Sequence, residues 1–457
     1  MEKSKEIDVS DIDEVRNSLD SKSLKVCVIG IGRIGLPTAL SFAKAGLQTI
    51  GMDINEKLVD SLNQGNFALK DEPGYEDIFN NVIKSGNFSA TTNINEAVSK
   101  SNLILLSLPT PMNKKNIPDY SALESVCKQL SDILKPNSLI VVESTIEPGF
   151  IENTLINILE KTNRLYIGKN FTIGVCPENA NPGEILHDFT NLPRLVGSIN
   201  EQTTKIITLI YDFVFSVELI IMPDCKTANA VKLTTNVFRD VNIAFINELS
   251  LMFDKLGIDT LKVLDAAKRK YNFQIHYPGA GVGGPCLPIN SYQFLNTAMR
   301  TDSKLSIIER SRQINEKMPD HVINLTLDGF KKCNKSIKDS NILILGITYK
   351  PDVKDVQLSP AEIVVNKLKD LGAKIRIYDP YYKNSEVFGI NVESNMEDII
   401  PKVDASIIVT GHKEFQEINP LIFTKMNTPI LIDSRGVIDT SSIKDANLVF
   451  RGIGCGI

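Results

Sequence analysis

Residues 25–53, KVCVIGIGRIGLPTALSFAKAGLQTIGMD, decide the fold. A short apolar run, 25–29, ends in Gly30-Ile31-Gly32-Arg33-Ile34-Gly35; an amphipathic stretch follows to Ala45, and a second apolar run stops at Asp53. Strand, glycine turn, helix and strand form the start of a doubly wound parallel sheet. In such a turn the first glycine makes the bend, the second admits a pyrophosphate, and the third packs helix on strand. The helix N-terminus adds free N–H groups and a positive dipole for the phosphates. Asp53, 18 residues beyond Gly35, is placed to accept the ribose hydroxyls, and its charge would repel a 2′-phosphate. The expected cofactor is therefore NAD, bound at Gly30, Gly32, Arg33, Ile34, Gly35 and Asp53.

Outward from this unit, the runs at 103–108 and 139–142 are continuously apolar, as buried parallel strands are. Each leads into a polar loop, PTPMNKKNIPD and ESTIEPG, where ligands of such sheets sit. Runs at 171–175 and 194–197 extend the pattern. From 224 to 257 neither Pro nor Gly interrupts until Gly257, which predicts one helix roughly 50 Å long. Helical patterning continues through Gly329, and a new sheet begins at 341–346, with a helix at 362–371 and strands at 374–378, 405–410 and 429–432. The strand ending at Asp379 repeats the acidic position of Asp53, without the phosphate-binding glycines. The expected fold is α/β: two Rossmann-like doubly wound domains joined by a long central helical segment. Expected boundaries are 1–21 for a polar extension, 22–215 for the NAD domain, 216–330 for a helical dimerisation domain and 331–457 for a second Rossmann-like domain.

A length of 457 residues suggests two or three domains. The net charge of −5 gives no electrostatic case for nucleic acid or an anionic membrane surface. Seven scattered cysteines, none in a CxxC pair, argue for a reducing compartment and against a disulfide framework. The four histidines lie far apart, so no metal site is expected. No stretch offers 18 uninterrupted apolar residues, and the polar, acidic N-terminus lacks the apolar core of a signal peptide. These features predict a cytoplasmic enzyme with a loosely attached leading helix.

A second glycine cluster, Gly279-Ala280-Gly281-Val282-Gly283-Gly284-Pro285-Cys286, ends in a thiol. Glycine permits close approach to a ligand and positive φ. The bland alternative is a buried cysteine beside a tight turn; beside a nicotinamide site the thiol reads as a nucleophile. Oxidising an alcohol once needs a base but no covalent nucleophile. Oxidising an aldehyde to an acid does need one, because a thiolate forms a thiohemiacetal and then a thioester for water to hydrolyse. The long helix carries Lys232, Asn236, Arg239 and Asp240 at spacings of three and four. They form either a solvated stripe or, given the apolar residues between them, part of an active-site lining.

Eight ordered motifs carry a resemblance: GIGRIGLP, PTP (109–111), ESTIEPG (143–149), CPENANPGEI (176–185), KLTTNVFRDVNIAFINELS (232–250), GAGVGGPC, RQINEKMP (312–319) and GITYKPDVKD (346–355). With them the chain resembles the UDP-glucose/GDP-mannose dehydrogenase family, the nucleotide-sugar 6-dehydrogenases, collinearly from about Lys25 to the C-terminus. The long-helix motif and the GVGGPC loop are most similar to the UDP-N-acetylhexosamine branch, particularly UDP-N-acetylmannosamine dehydrogenases. The resemblance implies oxidation of a sugar C6 alcohol to a carboxylate in two NAD-dependent steps, with UDP-N-acetylglucosamine and UDP-glucose as alternative substrates. It implies that Cys286 is the nucleophile, that Lys232 and Asn236 stabilise the oxyanion, and that Glu178 and Thr145 assist proton transfer and position water. Thr110 and Thr145 would approach the nicotinamide. Glu178, Lys232, Asn236 and Gly283 would line the substrate site, with Tyr349 and Lys350 at the uridine diphosphate. The central helices would form a homodimer or higher homo-oligomer, with Arg269 or Lys270 reaching a neighbouring subunit's substrate.

This chain departs from the family pattern at three places. Ile289-Asn290 stands where the UDP-glucose enzymes have Lys-Asp, Gln357 replaces an arginine, and Pro177-Glu178-Asn179 replaces a Pro-Glu-Arg triplet. With an amide at Asn290, thioester hydrolysis falls to Glu178 or another base. Two other readings share the layout: a single-step hydroxyacid or phosphogluconate-type dehydrogenase, which would not need Cys286, and a non-catalytic nucleotide-sugar binding protein.

Overall fold

The structure, a computed structural model, describes residues 7–161 and 165–456. The chain divides into two compact units, one of residues up to 235 together with 292–301 and the other of 236–291 together with 302 onward.

The first unit is built on an eight-stranded sheet in the order β3-β2-β1-β4-β5-β6-β7-β8. Its strands are β1 (Lys25–Ile29), β2 (Gln48–Met52), β3 (Phe88–Thr91), β4 (Leu103–Leu106), β5 (Ser138–Val142), β6 (Phe171–Val175), β7 (Arg194–Ser198) and β8 (Leu219–Ile221). Neighbouring strands are parallel except that β7 runs antiparallel to β6, through Gly174↔Ser198 and Val175↔Gly197. The run at 194–197 thus continues the sheet by reversing direction. Alternate residues feed two cores, because side chains in a strand point to opposite faces. Val26, Val28, Leu103 and Leu105 face one core, under α2 (Gly35–Lys44) and α3 (Glu201–Phe215). Cys27, Ile29, Ile104 and Leu106 face the other. Burial on both faces explains why these strands read as unbroken apolar runs.

The leading helix, α1 (Ile12–Asp20), is not loosely attached. Asp11 caps it by accepting from the N–H groups of Asp13 and Glu14, a favoured cap arrangement. Val15 and Leu19, one helical turn apart, are buried with Val9 in the first core. Only the start of the expected 1–21 extension lies outside the described residues.

The second unit holds a seven-stranded sheet in the order β11-β12-β10-β9-β13-β14-β15. The strands are β9 (Asn341–Leu345), β10 (Lys374–Tyr378), β11 (Glu386–Val387), β12 (Ile390–Glu393), β13 (Ala405–Ile408), β14 (Ile430–Asp433) and β15 (Val449–Gly452), parallel apart from β11 against β12. The long helix is present as α4 (Cys225–Leu256), followed by α5 (Leu287–Arg300) and α6 (Ser306–Lys332).

The segment 216–330 is shared between the two compact units. The division falls after Thr235 within α4 and after Ser291 within α5. Beyond Thr235 the segment is laced into the second unit by main-chain bonds: Thr260 N donates to Gly454 O (2.7 Å) and Gly284 N to Gln357 O (3.0 Å). Residues 292–301 belong with the first unit, where Gln293 Nε2 donates to Thr145 O at 3.1 Å.

Candidate active site

Parallel strands turn to opposite sides between β1 and β4, and the loops leaving them open the crevice where α/β sheets bind ligands. Gly30 has φ of +88°, and a side chain there would fall 2.5 Å from Ser107 O; one on Gly35 would fall 1.8 Å from Gly30 O. At Gly32 a Cβ would meet nothing within 4 Å. Two glycines are thus demanded by packing, and the middle one leaves open the space a pyrophosphate needs. Asp53 Oδ2 accepts from Ile31 N at 3.1 Å and Oδ1 from Asn55 N at 3.0 Å, which fixes the carboxylate at the end of β2. Ile34 precedes α2 as its N-cap residue. Arg33 is engaged elsewhere: its guanidinium forks between Asp71 (2.7 Å) and Glu72 (2.8 Å). Glu72 also accepts from Gly183 N, so Arg33 clasps two loops together.

After β4 and β5, Thr110 Oγ1 donates to Thr145 O at 2.9 Å, joining the PTP and EST loops. Both threonines remain partly exposed beside the crevice. The EST loop is braced from α5, because Asn296 Nδ2, Thr297 Oγ1 and the Arg300 guanidinium all reach the buried Glu147 carboxylate. Lys232, on the first-unit part of α4, is buried.

Glu178 lies in a buried cluster of the first unit. Its Oε1 accepts from the N–H groups of Asn179 and Ala180 at 2.6 and 2.8 Å, and Oε2 sits 2.6 Å from Arg194 Nη1. Burial alone would lower the pKa of Arg194, but Glu178, with Cys176 and Glu143, holds it above the ordinary value. The guanidinium also lies 3.8 Å from the Phe215 ring centre and 4.4 Å from that of Phe189, a cation–π arrangement. Next to it Glu143, at the end of β5, accepts from Tyr211 OH at 2.7 Å. Burial pushes the Glu143 pKa up to about 7, with Glu178 adding to the rise and Arg194 and Tyr211 opposing it. Arg194 and Glu143 are absent from the sequence-based candidates. The only sequence sign of Arg194 is a cation at the start of an apolar strand.

In the second unit Cys286 is exposed at the N-terminal edge of α5, and its carbonyl accepts the helix bond from Asn290 N at 2.9 Å. Negative charge is favoured at such a position by the unpaired N–H groups of the first helical turn. The preceding glycines serve packing as well as access. Side chains on Gly283 and Gly284 would fall 2.2 Å from Leu358 O and 2.6 Å from the Tyr349 ring. Tyr349 therefore seats the thiol loop, and the adjacent Lys350 carbonyl accepts from Thr348 Oγ1 at 2.8 Å. Asn236 Nδ2 donates to Asn290 Oδ1 at 2.5 Å. Asn236 and Asp240 share the buried face of α4, whereas Arg239 points outward and is exposed.

The second sheet repeats the first glycine of the turn and its acidic partner, without counterparts of Gly32 and Gly35. Gly346 has φ of +78°, with a Cβ there placed 2.6 Å from Thr410 O, and Ile347 N donates to Asp379 Oδ2 at 2.9 Å. Here, however, the fully buried His412 lies with Nε2 3.0 Å from Asp379 Oδ2. Its Nδ1 accepts from Asp352 N at 3.0 Å, so Nε2 carries the proton and donates to Asp379. Elsewhere in this unit a cavity of about 930 Å³ is lined by Lys262, Arg269, Tyr277, Pro351, Gln416 and Arg435 among others. Burial lowers the Arg435 pKa, and Asp433 opposes the fall. Three cations against one acid, Asp265, suit the cavity to an anionic ligand. Arg269 lines it and Lys270 is exposed; Arg435 is a residue that sequence reasoning missed.

Among the described residues no helix is long and apolar enough to cross a membrane. The chain matches three domains of the UDP-glucose/GDP-mannose dehydrogenase family: the NAD binding domain over residues 24–214, the central domain over 226–317 and the UDP binding domain over 343–440. It is 31% identical over 434 residues to a UDP-N-acetyl-D-mannosamine dehydrogenase of Pyrococcus horikoshii, covering 95% of this chain and 100% of that one. A UDP-N-acetyl-D-glucosamine 6-dehydrogenase of Salmonella typhi is 30% identical, with 86% of this chain and 91% of that one covered. The solved structure of the UDP-D-ManNAc dehydrogenase from Pyrococcus horikoshii superposes with a TM-score of 0.88, at 31% identity, over 95% of this chain and 100% of that chain.

Proposed function

The chain belongs to the UDP-glucose/GDP-mannose dehydrogenase family and is an NAD-dependent nucleotide-sugar dehydrogenase; from that premise we propose that it oxidises C6 of a UDP-N-acetylhexosamine to the carboxylate. UDP-N-acetyl-D-mannosamine is the proposed substrate, giving UDP-N-acetyl-D-mannosaminuronate, with the mannosamine enzyme's name among the relatives in support. The observation that carries the reading is Cys286, an exposed thiol at a helix N-terminus at the end of a glycine loop.

NAD, which Gly32 and Asp53 would hold, would take up one hydride per molecule, so the two oxidations use two NAD in succession; the first removes a hydride from C6 and the proton of its hydroxyl, giving the aldehyde. The residues of the chain do the rest. The Cys286 thiolate adds to the C6 aldehyde, forming a C–S bond and an oxyanion that takes a proton to give the thiohemiacetal. Loss of hydride and a proton from that adduct leaves a thioester. Water then adds at the carbonyl carbon, the C–S bond breaks, and the carboxylate and free thiol are released. Lys232 and Asn236 are assigned to the oxyanion, where preorganised donors have their largest effect. Thr145 is assigned to water positioning and Glu178 to proton transfer, the latter beside Arg194. The diphosphate is assigned to the cavity bearing Arg269 and Arg435.

A homodimer through α4 is part of the proposal. Phe238, Phe245, Met252 and Leu256 recur on one face of that helix and are each 47% exposed or more, as suits a second copy of the helix. A cytoplasmic location is proposed as well, because it keeps Cys286 reduced. The test is incubation of the purified protein with NAD and a panel of UDP-sugars, following NADH and sugar acid. Two NADH per acid, on UDP-N-acetyl-D-mannosamine above the others, is the expected result. One NADH per turnover, unchanged by Cys286→Ser, would sink the thioester mechanism.

A further inference from the structure

Asn236, Asp240 and Asn247 lie on one face of α4, because steps of four and eleven residues return to within about 40° on a helix of 3.6 residues per turn. Asn236 meets Asn290, as described. Asp240 Oδ2 accepts from Ser291 Oγ at 2.7 Å, and Asn247 Oδ1 accepts from Gly279 N at 2.9 Å. Gly279 opens the glycine loop and Ser291 follows it into α5, so the segment bearing Cys286 is gripped at both ends.

The two grips are joined through α6. Asn315 Nδ2 donates to Asp240 Oδ1 at 2.8 Å, while its Oδ1 accepts from Asn247 Nδ2 at 2.9 Å. Arg312 Nη1 completes the carboxylate at 2.9 Å. Asp240, Asn247, Ser291 and Asn315 are all at most 1% exposed. A continuous polar relay in such a place is a costly way to fill a core: apolar residues of similar volume are often as stabilising as a buried ion pair. What the relay supplies is geometry. The loop is rich in glycine, which loses the most freedom on being ordered, and a satisfied buried network specifies one arrangement.

We infer that Asp240, Asn315 and Asn247 are positioning residues for Cys286, acting through Ser291 and Gly279 to fix where the thiol meets the aldehyde. This rests on Cys286 being the nucleophile. None of the three is assigned a contact with the reacting atoms.

The test compares Asn247→Ala and Ser291→Ala with the parent enzyme in the NAD-dependent oxidation, together with the rate at which iodoacetamide alkylates Cys286. Ser291→Ala removes one hydroxyl and serves if the other variant fails to fold. The expected result is a kcat lowered 10-fold or more, KM values for NAD and UDP-sugar within two-fold, an altered alkylation rate, and aldehyde escaping to a hydrazide trap. Unchanged kcat and alkylation in the folded variants would overturn the inference, as would a loss of activity matched by an equal loss of folded protein. Failure of the underlying reading looks different: Cys286→Ser would then turn over like the parent enzyme.

Discussion

Asn236 Nδ2 stands 2.5 Å from Asn290 Oδ1, so the amide that occupies the family's carboxylate position is already an acceptor. An aspartate has the same shape and accepts the same bond. Asn290→Asp is expected to fold and to hydrolyse the thioester faster, by up to about 100-fold if a general base is limiting. Burial of the new charge should lower the melting temperature. Rapid-quench measurement of thioester decay checks the rate, and an unchanged decay would show that another group already serves as base.

The second and third glycines of the first turn should respond in opposite ways. A Cβ on Gly35 falls 1.8 Å from Gly30 O, where backbone must move, whereas one on Gly32 falls in open space. Gly35→Ala is expected to destabilise the first unit by about 3 kcal/mol or more. Gly32→Ala should melt within about 1 kcal/mol of the parent yet bind NAD at least about 10-fold more weakly. Thermal melts and NAD titration separate the two, and equal behaviour would contradict the assignment of Gly32 to the pyrophosphate.

Glu143 should make stability fall as pH rises. Burial lifts its pKa from the ordinary 4.5 to about 7, so between those values the folded chain holds a proton that the unfolded chain has released. The contribution is fully present below pH 4.5 and is lost by pH 7, an effect on the order of 3 kcal/mol. Glu143→Gln removes the ionisation while keeping an acceptor for Tyr211 OH. The difference in melting temperature, variant minus parent, should therefore grow between pH 5 and pH 8. A constant difference would show that Glu143 does not titrate in that range.

Much of the architecture was legible where the signal is local. The turn at 30–35 and its Asp53, the apolar runs of β4 and β5, and the uninterrupted α4 each declare themselves within a few dozen residues. The short edge strands β8, β11 and β12 carry too little pattern to stand out, and the antiparallel β7 has the same composition as a parallel strand. The site divides in the same way. Cys286 and the α4 face could be read from spacing, but not the seat that Tyr349 gives the glycine loop, nor the clasp made by Arg33. Arg194 pairs with Glu178 across 16 positions and Asp240 with Arg312 across 72. Such partners are chosen by the folded topology, and no periodicity announces them.

The His412–Asp379 contact sets a stoichiometry. The chain contains two turns with a left-handed glycine and an acidic partner, but the second lacks counterparts of Gly32 and Gly35, and its acceptor carboxylate, Asp379, is taken by the imidazole of His412. Calorimetric titration should therefore saturate at a single dinucleotide per polypeptide. Active-site concentrations obtained from NAD binding can then be taken as chain concentrations without a factor of two.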